Sequence, residues 1–219
     1  MGMTYIQEFK DIDKGKKVNH PVIAISGMSG SGKGLHSKML QERLKKDYGI
    51  KLPICESGQL FRQDAESRGM TPAEHAEYLK NNPKISEELD KTVDRNVLKS
   101  ALSKPGIYVG RLTTHIIGEH GFKIFLNADP KLIAKRILVD PKREESGRGL
   151  TEEQIRKDIE KRDKENTERY GKLYGINYGK DVPAAADVVV KNDRAPDAVF
   201  EDIYKPLVRW LKKKNYIKA

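Results

Sequence analysis

A glycine-rich turn at residues 27–34 carries the clearest chemical pattern in this sequence. It fits the pattern G-x-x-x-x-G-K, follows a short apolar run at 22–26 and precedes a helical pattern. In that setting, glycines let backbone N–H groups point at phosphate oxygens beside a helix N-terminus. The lysine of the pattern would reach the β- and γ-phosphates of ATP. The turn therefore predicts a phosphate-binding loop with Lys33 as a catalytic residue, and its candidate ATP-binding residues are Gly27, Met28, Ser29, Gly30, Ser31, Gly32, Lys33, Gly34 and Leu35.

The end of this loop departs from the usual pattern at two positions. Gly34 replaces the serine or threonine that normally follows the lysine, and Leu35 comes next. A Mg²⁺ ion on the nucleotide would then lack its customary hydroxyl ligand. Because Mg²⁺ commonly keeps several waters and binds substrate phosphates, we still expect ATP and Mg²⁺ as the cofactors.

Two further motifs follow the second and third predicted strands. The sequence ESGQLFR occupies residues 56–62, and GR occupies residues 110–111. Ligands of α/β proteins bind at the carboxyl ends of parallel strands. Two arginines that converge there suit a monophosphate, because a guanidinium group can pair with two phosphate oxygens. The candidate substrate-binding residues here are Ser57, Gly58, Arg62, Gly110 and Arg111, with the carboxylate of Glu56 at the strand tip.

A strongly charged segment contributes the last cluster. Arg162, Asn166 and Arg169 are spaced i, i+4 and i+7, which puts them on one helix face. The polar loop before them adds Arg143 and Arg148. Phosphoryl transfer builds negative charge that must be neutralised away from water, and a closing lid would deliver such arginines. The alternative is a solvated helix face, and the spacing alone favours neither.

The elements that position these residues alternate between short apolar runs and longer helical patterns. The predicted strands are 22–26, 52–55, 107–109, 123–126 and 188–190; the predicted helices are 35–48, 59–67, 72–81, 84–103, 130–139, 151–170 and 197–213. Short apolar runs between helices are typical of a parallel sheet covered on both faces. The sequence therefore predicts an α/β fold with a five-stranded parallel sheet, in one domain at 21–219 after an N-terminal extension at 1–20.

Composition narrows the class of protein. Of the 219 residues, 37% are hydrophobic, no apolar run reaches the roughly 18 residues that a bilayer requires, and the N-terminus has no apolar signal segment. The only cysteine, Cys55, excludes an intrachain disulfide. We expect a cytoplasmic protein without a membrane partner. The net charge of +10 comes without a nucleic-acid recognition motif, so we expect nucleotides rather than nucleic acid as partners, and a monomer.

Together the motifs resemble the cytidylate kinases, particularly the archaeal type. The matching segments occur in the family's order: the loop at 27–34, ESGQLFR at 56–62, VGRL at 109–112 and RDKENTERYGKLYGI at 162–176. The likeness covers about residues 20–205. It implies a P-loop NMP-kinase-like fold with an NMP-binding helical region at about 57–104 and a lid at about 139–170.

The resemblance also implies an activity: ATP-dependent phosphorylation of CMP or dCMP with Mg²⁺. It assigns Ser57, Arg62 and Arg111 to CMP and Arg148 to the lid. It assigns Arg162 and Arg169 to the substrate and the transferring phosphate. Base selection would depend on the helical segment 72–103, where Asp90 and Asp94 are candidates.

Three positions differ from the family pattern. Val109 replaces an acidic residue that would help hold Mg²⁺, Asn166 replaces a carboxylate that would face the substrate ribose, and residues 140–146 resemble an insertion in the lid. We expect Glu56 to compensate by holding Mg²⁺ through water, because its strand tip neighbours that of the third strand. The alternative role for Glu56 is substrate binding or capping of the following helix.

Two other functions remain open on the sequence. The segment S-G-x-L-x-R also resembles adenylate kinases, although their D-G-F-P-R motif is absent. That likeness allows AMP, UMP or another monophosphate as the acceptor. Leu35 and Val109 favour a P-loop protein that binds nucleotide without catalysis, whereas the retained lysine and arginines oppose it.

Overall fold

The computed structural model describes residues 9–139 and 149–218. Its strands are β1 (Val22–Gly27), β2 (Ile54–Glu56), β3 (Gly106–Val109), β4 (Phe122–Asn127) and β5 (Val188–Lys191). The helices of the described part are α1 (Lys10–Asp13), α2 (Lys33–Tyr48), α3 (Ser57–Ser67), α4 (Pro72–Asn81), α5 (Pro83–Ser103), α6 (Thr113–Ile117), α7 (Pro130–Val139), α8 (Glu152–Tyr174), α9 (Asp181–Ala184) and α10 (Pro196–Lys213).

The five strands form one sheet in the order β2-β3-β1-β4-β5, and every neighbouring pair is parallel. β1 is central, with Ile23 opposite Ile107 on one side and Phe122 on the other. β2 and β3 lie on one side of β1, whereas β4 and β5 lie on the other side. This arrangement opens a crevice at the carboxyl edge of the sheet, where α/β proteins bind ligands.

Helices cover both faces of the sheet because β1 is apolar on both sides. Ile23 and Ile25 pack with α2 and α10, through residues such as Leu40 and Leu207. Ala24 faces the other way and joins a cluster with Leu98 of α5. Alternate side chains of a strand point to opposite faces, so a strand buried on both sides is a continuous apolar run. The predicted five-stranded parallel α/β sheet is confirmed.

The predicted elements match the structure closely, and the helices at 72–81 and 130–139 match it at both ends. The second strand begins two residues later than predicted and extends to Glu56. The charged helix α8 continues four residues beyond the prediction, to Tyr174. Three short helices, α1, α6 and α9, were not predicted, because four or five residues carry too little periodicity to distinguish them from turns.

The described part of the N-terminal segment packs onto the domain. Phe9 has no exposed surface and Ile12 is buried, in the cluster that includes Leu98 of α5. The ring of Phe9 lies 5.8 Å from that of Tyr174 at the end of α8. Residues 9–12 therefore contribute to the core, although the sequence indicated an extension that precedes the domain.

Candidate active site

Residues 27–34 connect β1 to α2 at the middle of the carboxyl edge of the sheet. Gly32 is the N-cap of α2 with a φ of 91°, a left-handed conformation that favours glycine. A Cβ atom on Gly32 would overlap the side-chain amide nitrogen of Asn192. The loop therefore has the predicted strand–turn–helix setting, at the positive end of a 16-residue helix.

The side chain of Lys33 lies back on its own loop. Its ammonium group donates hydrogen bonds to the carbonyl oxygens of Gly27, at 2.7 Å, and Met28, at 2.9 Å. The pKa of Lys33 is lowered to about 7, chiefly by burial and then by the charge of Arg111, whereas Asp163 acts in the opposite direction. Lys33 is thus half-buried rather than solvent-facing, and a bound phosphate would compensate its desolvated charge.

Two buried polar side chains hold the loop from outside, and sequence reasoning missed both. The hydroxyl of Tyr178 donates to the carbonyl of Gly27 at 2.7 Å, and the amide of Asn192 donates to the carbonyl of Ser31 at 3.0 Å. Burial raises the pKa of Tyr178, so this hydroxyl stays protonated and remains a donor. The available signal for Asn192 was its position directly after β5, at the same edge of the sheet.

The tips of β2 and β3 meet beside this loop. Glu56 is opposite Val109 in the strand register. A Cβ atom on Gly110 would lie 2.5 Å from the hydroxyl oxygen of Ser57, so a side chain there would displace that hydroxyl. The structure therefore brings together Ser57 and Gly110, which the sequence had placed 53 residues apart in two motifs.

The carboxylate of Glu56 lies between the phosphate-binding loop and Arg62. Its Oε2 accepts a hydrogen bond from Arg62 Nη2 at 3.3 Å. Its Oε1 lies 3.9 Å from the position that a Cβ atom on Gly34 would take. Glu56 is the N-cap residue of α3, yet its side chain makes no capping hydrogen bond. The capping alternative is thus excluded in this structure, and the carboxylate faces the site.

One cavity of about 1070 Å³ opens between α3, α4 and α5 on one side and α8 on the other. Five of the candidate site residues predicted from the sequence line this cavity, namely Arg62, Arg111, Arg162, Asn166 and Arg169. Ser57, Gly58 and Gly110 lie at the strand tips and are not among the lining residues of this described cavity. Apolar side chains from α3 and α4, such as Phe61 and Leu79, complete its wall. The cavity therefore combines the guanidinium groups of four arginines with carboxylates and an apolar surface, a mixture of polar and apolar lining that suits a nucleoside monophosphate.

Arg169 is held within this cavity by groups from two helices. Its Nη1 lies 3.4 Å from Asp90 Oδ2 of α5, and its Nη2 donates to Asn166 Oδ1 at 3.2 Å and to the hydroxyl of Tyr170 at 3.1 Å. Burial raises the pKa of Asp90, against the charges of Arg169 and Arg111. Among the described residues, Arg169 Nε and Asn166 Nδ2 are buried without a hydrogen-bond partner. Unpaired buried donors are costly, which favours a ligand that pairs with them.

The two candidates for base recognition differ in their surroundings. Asp90 lines the cavity and is 3% exposed. Asp94, one turn further along α5, accepts a hydrogen bond from the hydroxyl of Tyr174 at 2.9 Å and is not part of the cavity wall. Asp90 is therefore the carboxylate of this pair that belongs to the site.

The two unusual positions near the predicted metal remain without ligand atoms. Leu35 is 49% exposed and Val109 is buried, and neither side chain carries an oxygen. Over residues 9–139 and 149–218, no group of three or more His, Cys, Asp or Glu side chains is arranged to hold a metal ion.

The two arginines of the predicted lid, Arg143 and Arg148, lie outside the described residues, together with the rest of 140–148. Within the same described part, no helix combines the length and apolarity needed to cross a membrane.

Comparison with known sequences shows that this chain is similar to phosphotransferases. A model of the cytidylate kinase-like family matches residues 22–194. The cytidylate kinase of Pyrococcus furiosus is 32% identical over 180 residues, which cover 82% of this chain and 84% of that protein. The cytidylate kinase of Archaeoglobus fulgidus is 34% identical over 160 residues, or 71% of this chain and 77% of that protein.

Comparison with solved structures supports the fold. An uncharacterized protein from Eubacterium ventriosum superposes with a TM-score of 0.61 at 18% identity, over 86% of this chain and 99% of that one. The shikimate kinase of Bacteroides thetaiotaomicron gives a TM-score of 0.52 at 15% identity, over 90% and 99% of the two chains. This chain thus shares its overall fold with both proteins.

Proposed function

Because the chain belongs to the cytidylate kinase-like family, we propose that it transfers the γ-phosphoryl group of ATP to a nucleoside monophosphate, with CMP or dCMP as the acceptor. One observation carries the proposal beyond family membership. The four arginines Arg62, Arg111, Arg162 and Arg169, from three separate parts of the chain, line a single cavity. A protein that only bound ATP would have no use for a second pocket into which four arginines converge.

The donor ATP is proposed to bind at residues 27–35. The backbone N–H groups of the loop and the N-terminus of α2 would hold the β-phosphate, since oriented amides and a helix N-terminus favour anions. Lys33 would exchange its bonds to the carbonyls of Gly27 and Met28 for bonds to phosphate oxygens. That exchange requires the protonated lysine, because a neutral amine would leave the phosphate charge unbalanced.

The acceptor monophosphate is proposed to bind in the cavity. Arg62 and Arg111 lie at its β2 and β3 side and would bind the α-phosphate with Ser57, Gly58 and Gly110 at the strand tips. Asn166 would face the ribose, where an amide can donate or accept a hydrogen bond. An oxygen of the acceptor phosphate would then attack the γ-phosphorus of ATP, and ADP would leave with its β-phosphate still held by the loop.

Charge that develops on the transferring group is proposed to be neutralised from α8. Arg162 and Arg169 line the same cavity, and Arg169 is already oriented by Asp90, Asn166 and Tyr170. Arginines that are preorganised in this way cost little reorganisation in the transition state. Arg148 is proposed to join them from the lid, on the basis of the family resemblance alone.

Glu56 is the residue that we propose to hold Mg²⁺ through water. Its carboxylate lies near Gly34 at the end of the phosphate-binding loop, and its side chain is 40% exposed, so it fits a hydrated ion better than direct coordination. A bound Mg²⁺ would supply positive charge that offsets the negative charge of the ATP phosphates. Because Leu35 and Val109 carry no ligand atoms, most ligands of the ion would be waters and phosphate oxygens.

A coupled assay of ADP release tests the proposed function. CMP, dCMP, UMP and AMP would each be offered with ATP, at several Mg²⁺ concentrations. We expect the largest kcat/KM for CMP or dCMP, and no turnover without Mg²⁺. A preference for AMP would instead favour the adenylate-type alternative, and ATP binding without any acceptor turnover would favour a non-catalytic protein. A monomeric state and a cytoplasmic location are also part of this proposal, and the single cysteine agrees with a reducing cytoplasm.

A further inference from the structure

The buried face of α8 changes character along its length. Its buried residues follow one helical stripe: Ile155, Ile159, Asp163, Asn166 and Tyr170. The first two pack on α7 in a small apolar cluster with Ile133. Two polar residues then interrupt the stripe, and Asp163 is only 8% exposed. A buried carboxylate is costly unless it is paired, so its position in an otherwise apolar stripe calls for a partner.

The partner of Asp163 is the phosphate-binding loop. The backbone N–H of Ser29 donates a hydrogen bond of 3.1 Å to Asp163 Oδ1, between two buried residues 134 positions apart in the chain. The carboxylate is also close enough to Lys33 to raise the pKa of that lysine, against burial and Arg111. α8 therefore contacts the donor-side loop directly, at the residue that follows Arg162.

We propose that Asp163 is a positioning residue that docks α8 onto the phosphate-binding loop through the N–H of Ser29. This inference rests on the proposed function. The helix that Asp163 docks also carries Arg162 and Arg169, which line the acceptor cavity. The docking contact thereby sets the position of both arginines relative to the donor phosphates. A displacement of about 1 Å in such a constellation costs roughly 10²-fold in rate.

The docking role of Asp163 depends on its acceptor oxygen, whereas its charge acts separately by raising the pKa of Lys33. Asp163→Asn keeps the shape and an oxygen that can accept from Ser29, whereas Asp163→Ala removes the acceptor. We expect Asp163→Ala to lower kcat by about 10²-fold, with the dissociation constants of CMP and of a non-hydrolysable ATP analogue each changing by less than about threefold. Asp163→Asn should retain most of the wild-type kcat at saturating ATP, because the docking bond is kept and bound phosphate keeps Lys33 protonated.

A direct readout of the contact is the amide resonance of Ser29 in ¹⁵N–¹H spectra. The Ser29 amide proton should be protected from hydrogen exchange in the wild type and in Asp163→Asn, and it should lose this protection in Asp163→Ala. Asp181→Asn is the matched control, since Asp181 also accepts from a backbone N–H, that of Asn177 at 2.8 Å, outside the site. This control should leave kcat and the Ser29 resonance unchanged.

Three outcomes would overturn the inference. They are wild-type kcat in Asp163→Ala, an Asp163→Asn variant as impaired as Asp163→Ala, or an unprotected Ser29 amide in the wild type. A merely structural role predicts something else, namely weaker binding of both nucleotides and a lower melting temperature. If the wild-type protein failed to phosphorylate CMP, the proposed function would fall, yet the Ser29 resonance would still report whether the contact exists.

Discussion

The ammonium group of Lys33 donates a hydrogen bond of 2.7 Å to the carbonyl oxygen of Gly27, six residues earlier in the same loop. The pKa of this lysine is lowered to about 7, first by burial and then by Arg111. Without nucleotide, the carbonyl groups of the loop therefore pair with the Lys33 ammonium group. We expect this position of Lys33 to make ATP binding sensitive to pH, because phosphate favours the charged form of the lysine.

We expect ATP binding to take up a proton. Above pH 7 most Lys33 side chains are neutral in the free protein, and bound phosphate raises the pKa again. Binding of a non-hydrolysable ATP analogue at pH 8 should therefore take up close to one proton, and the affinity should fall as the pH rises above about 7. Titration calorimetry in buffers of different ionisation enthalpy measures this uptake.

Lys33→Met is the control for that experiment. It should remove the proton uptake and lower turnover by about 10²-fold or more, the size typical of a lost transition-state charge. Proton uptake that persists in Lys33→Met would assign the titration to another group.

The Glu56 carboxylate provides the second prediction. Glu56→Gln keeps the shape of the side chain and removes its charge, so the Mg²⁺ concentration for half-maximal turnover should rise and kcat should fall. The KM for CMP should change little. Turnover measured against Mg²⁺ concentration separates the two roles of Glu56. If its Mg²⁺ dependence stays wild-type while CMP binding collapses, Glu56 binds substrate, in keeping with its hydrogen bond to Arg62.

The third prediction concerns Arg62. Arg62→Ala should lower kcat/KM for CMP by roughly 10- to 100-fold, the size expected for a lost charged hydrogen bond, with the KM for ATP within about twofold of wild type. Steady-state kinetics with each substrate varied in turn measures this. Arg68→Ala is the matched control, because Arg68 pairs with Asp64 at 2.8 Å and does not line the cavity. Equal losses for CMP and ATP would mean that the assignment of Arg62 to the acceptor cavity is wrong.

The fourth prediction concerns the ion pair between Asp90 and Arg169. Asp90→Asn should leave the guanidinium less well held and raise the KM for CMP by about 10-fold or more, with little effect on ATP. Asp94→Asn, one turn along α5, should have a much smaller effect on CMP, because Asp94 accepts from Tyr174 rather than facing the cavity. Kinetics with CMP and UMP for both variants would also detect any change in base preference.

The fifth prediction concerns stability. Phe9→Ala should lower the free energy of unfolding by about 3–5 kcal/mol, because it empties a fully buried site beside Tyr174. Tyr48→Ala, at a position 37% exposed, should cost much less. Urea unfolding followed by circular dichroism gives both values. An unchanged midpoint in Phe9→Ala would mean that the N-terminal segment is not part of the cooperative fold.

Local sequence patterns were sufficient for the architecture and for the residue types of the site. The apolar run at 22–26, the glycine-rich turn after it and the alternating helices predicted the parallel sheet and the phosphate-binding loop, because each is a short-range pattern. The arginines at 62 and 111 could also be placed, since Arg111 lies just after β3, Arg62 lies in the helix that follows β2, and the carboxyl ends of parallel strands share one edge. Their convergence on one cavity agrees with that reasoning.

Contacts between distant segments were decided only by the tertiary structure. No local pattern connects Ser29 with Asp163, Tyr178 with Gly27, or Asn192 with Ser31. Such pairs depend on the strand order, which puts β1 between β3 and β4, and on the packing of α8 against the loop. The pKa of Lys33 belongs to the same class, because burial and neighbouring charges exist only once the chain has folded. Sequence spacing specifies which side chains share a helix face or a strand end, whereas packing decides which backbone groups they reach.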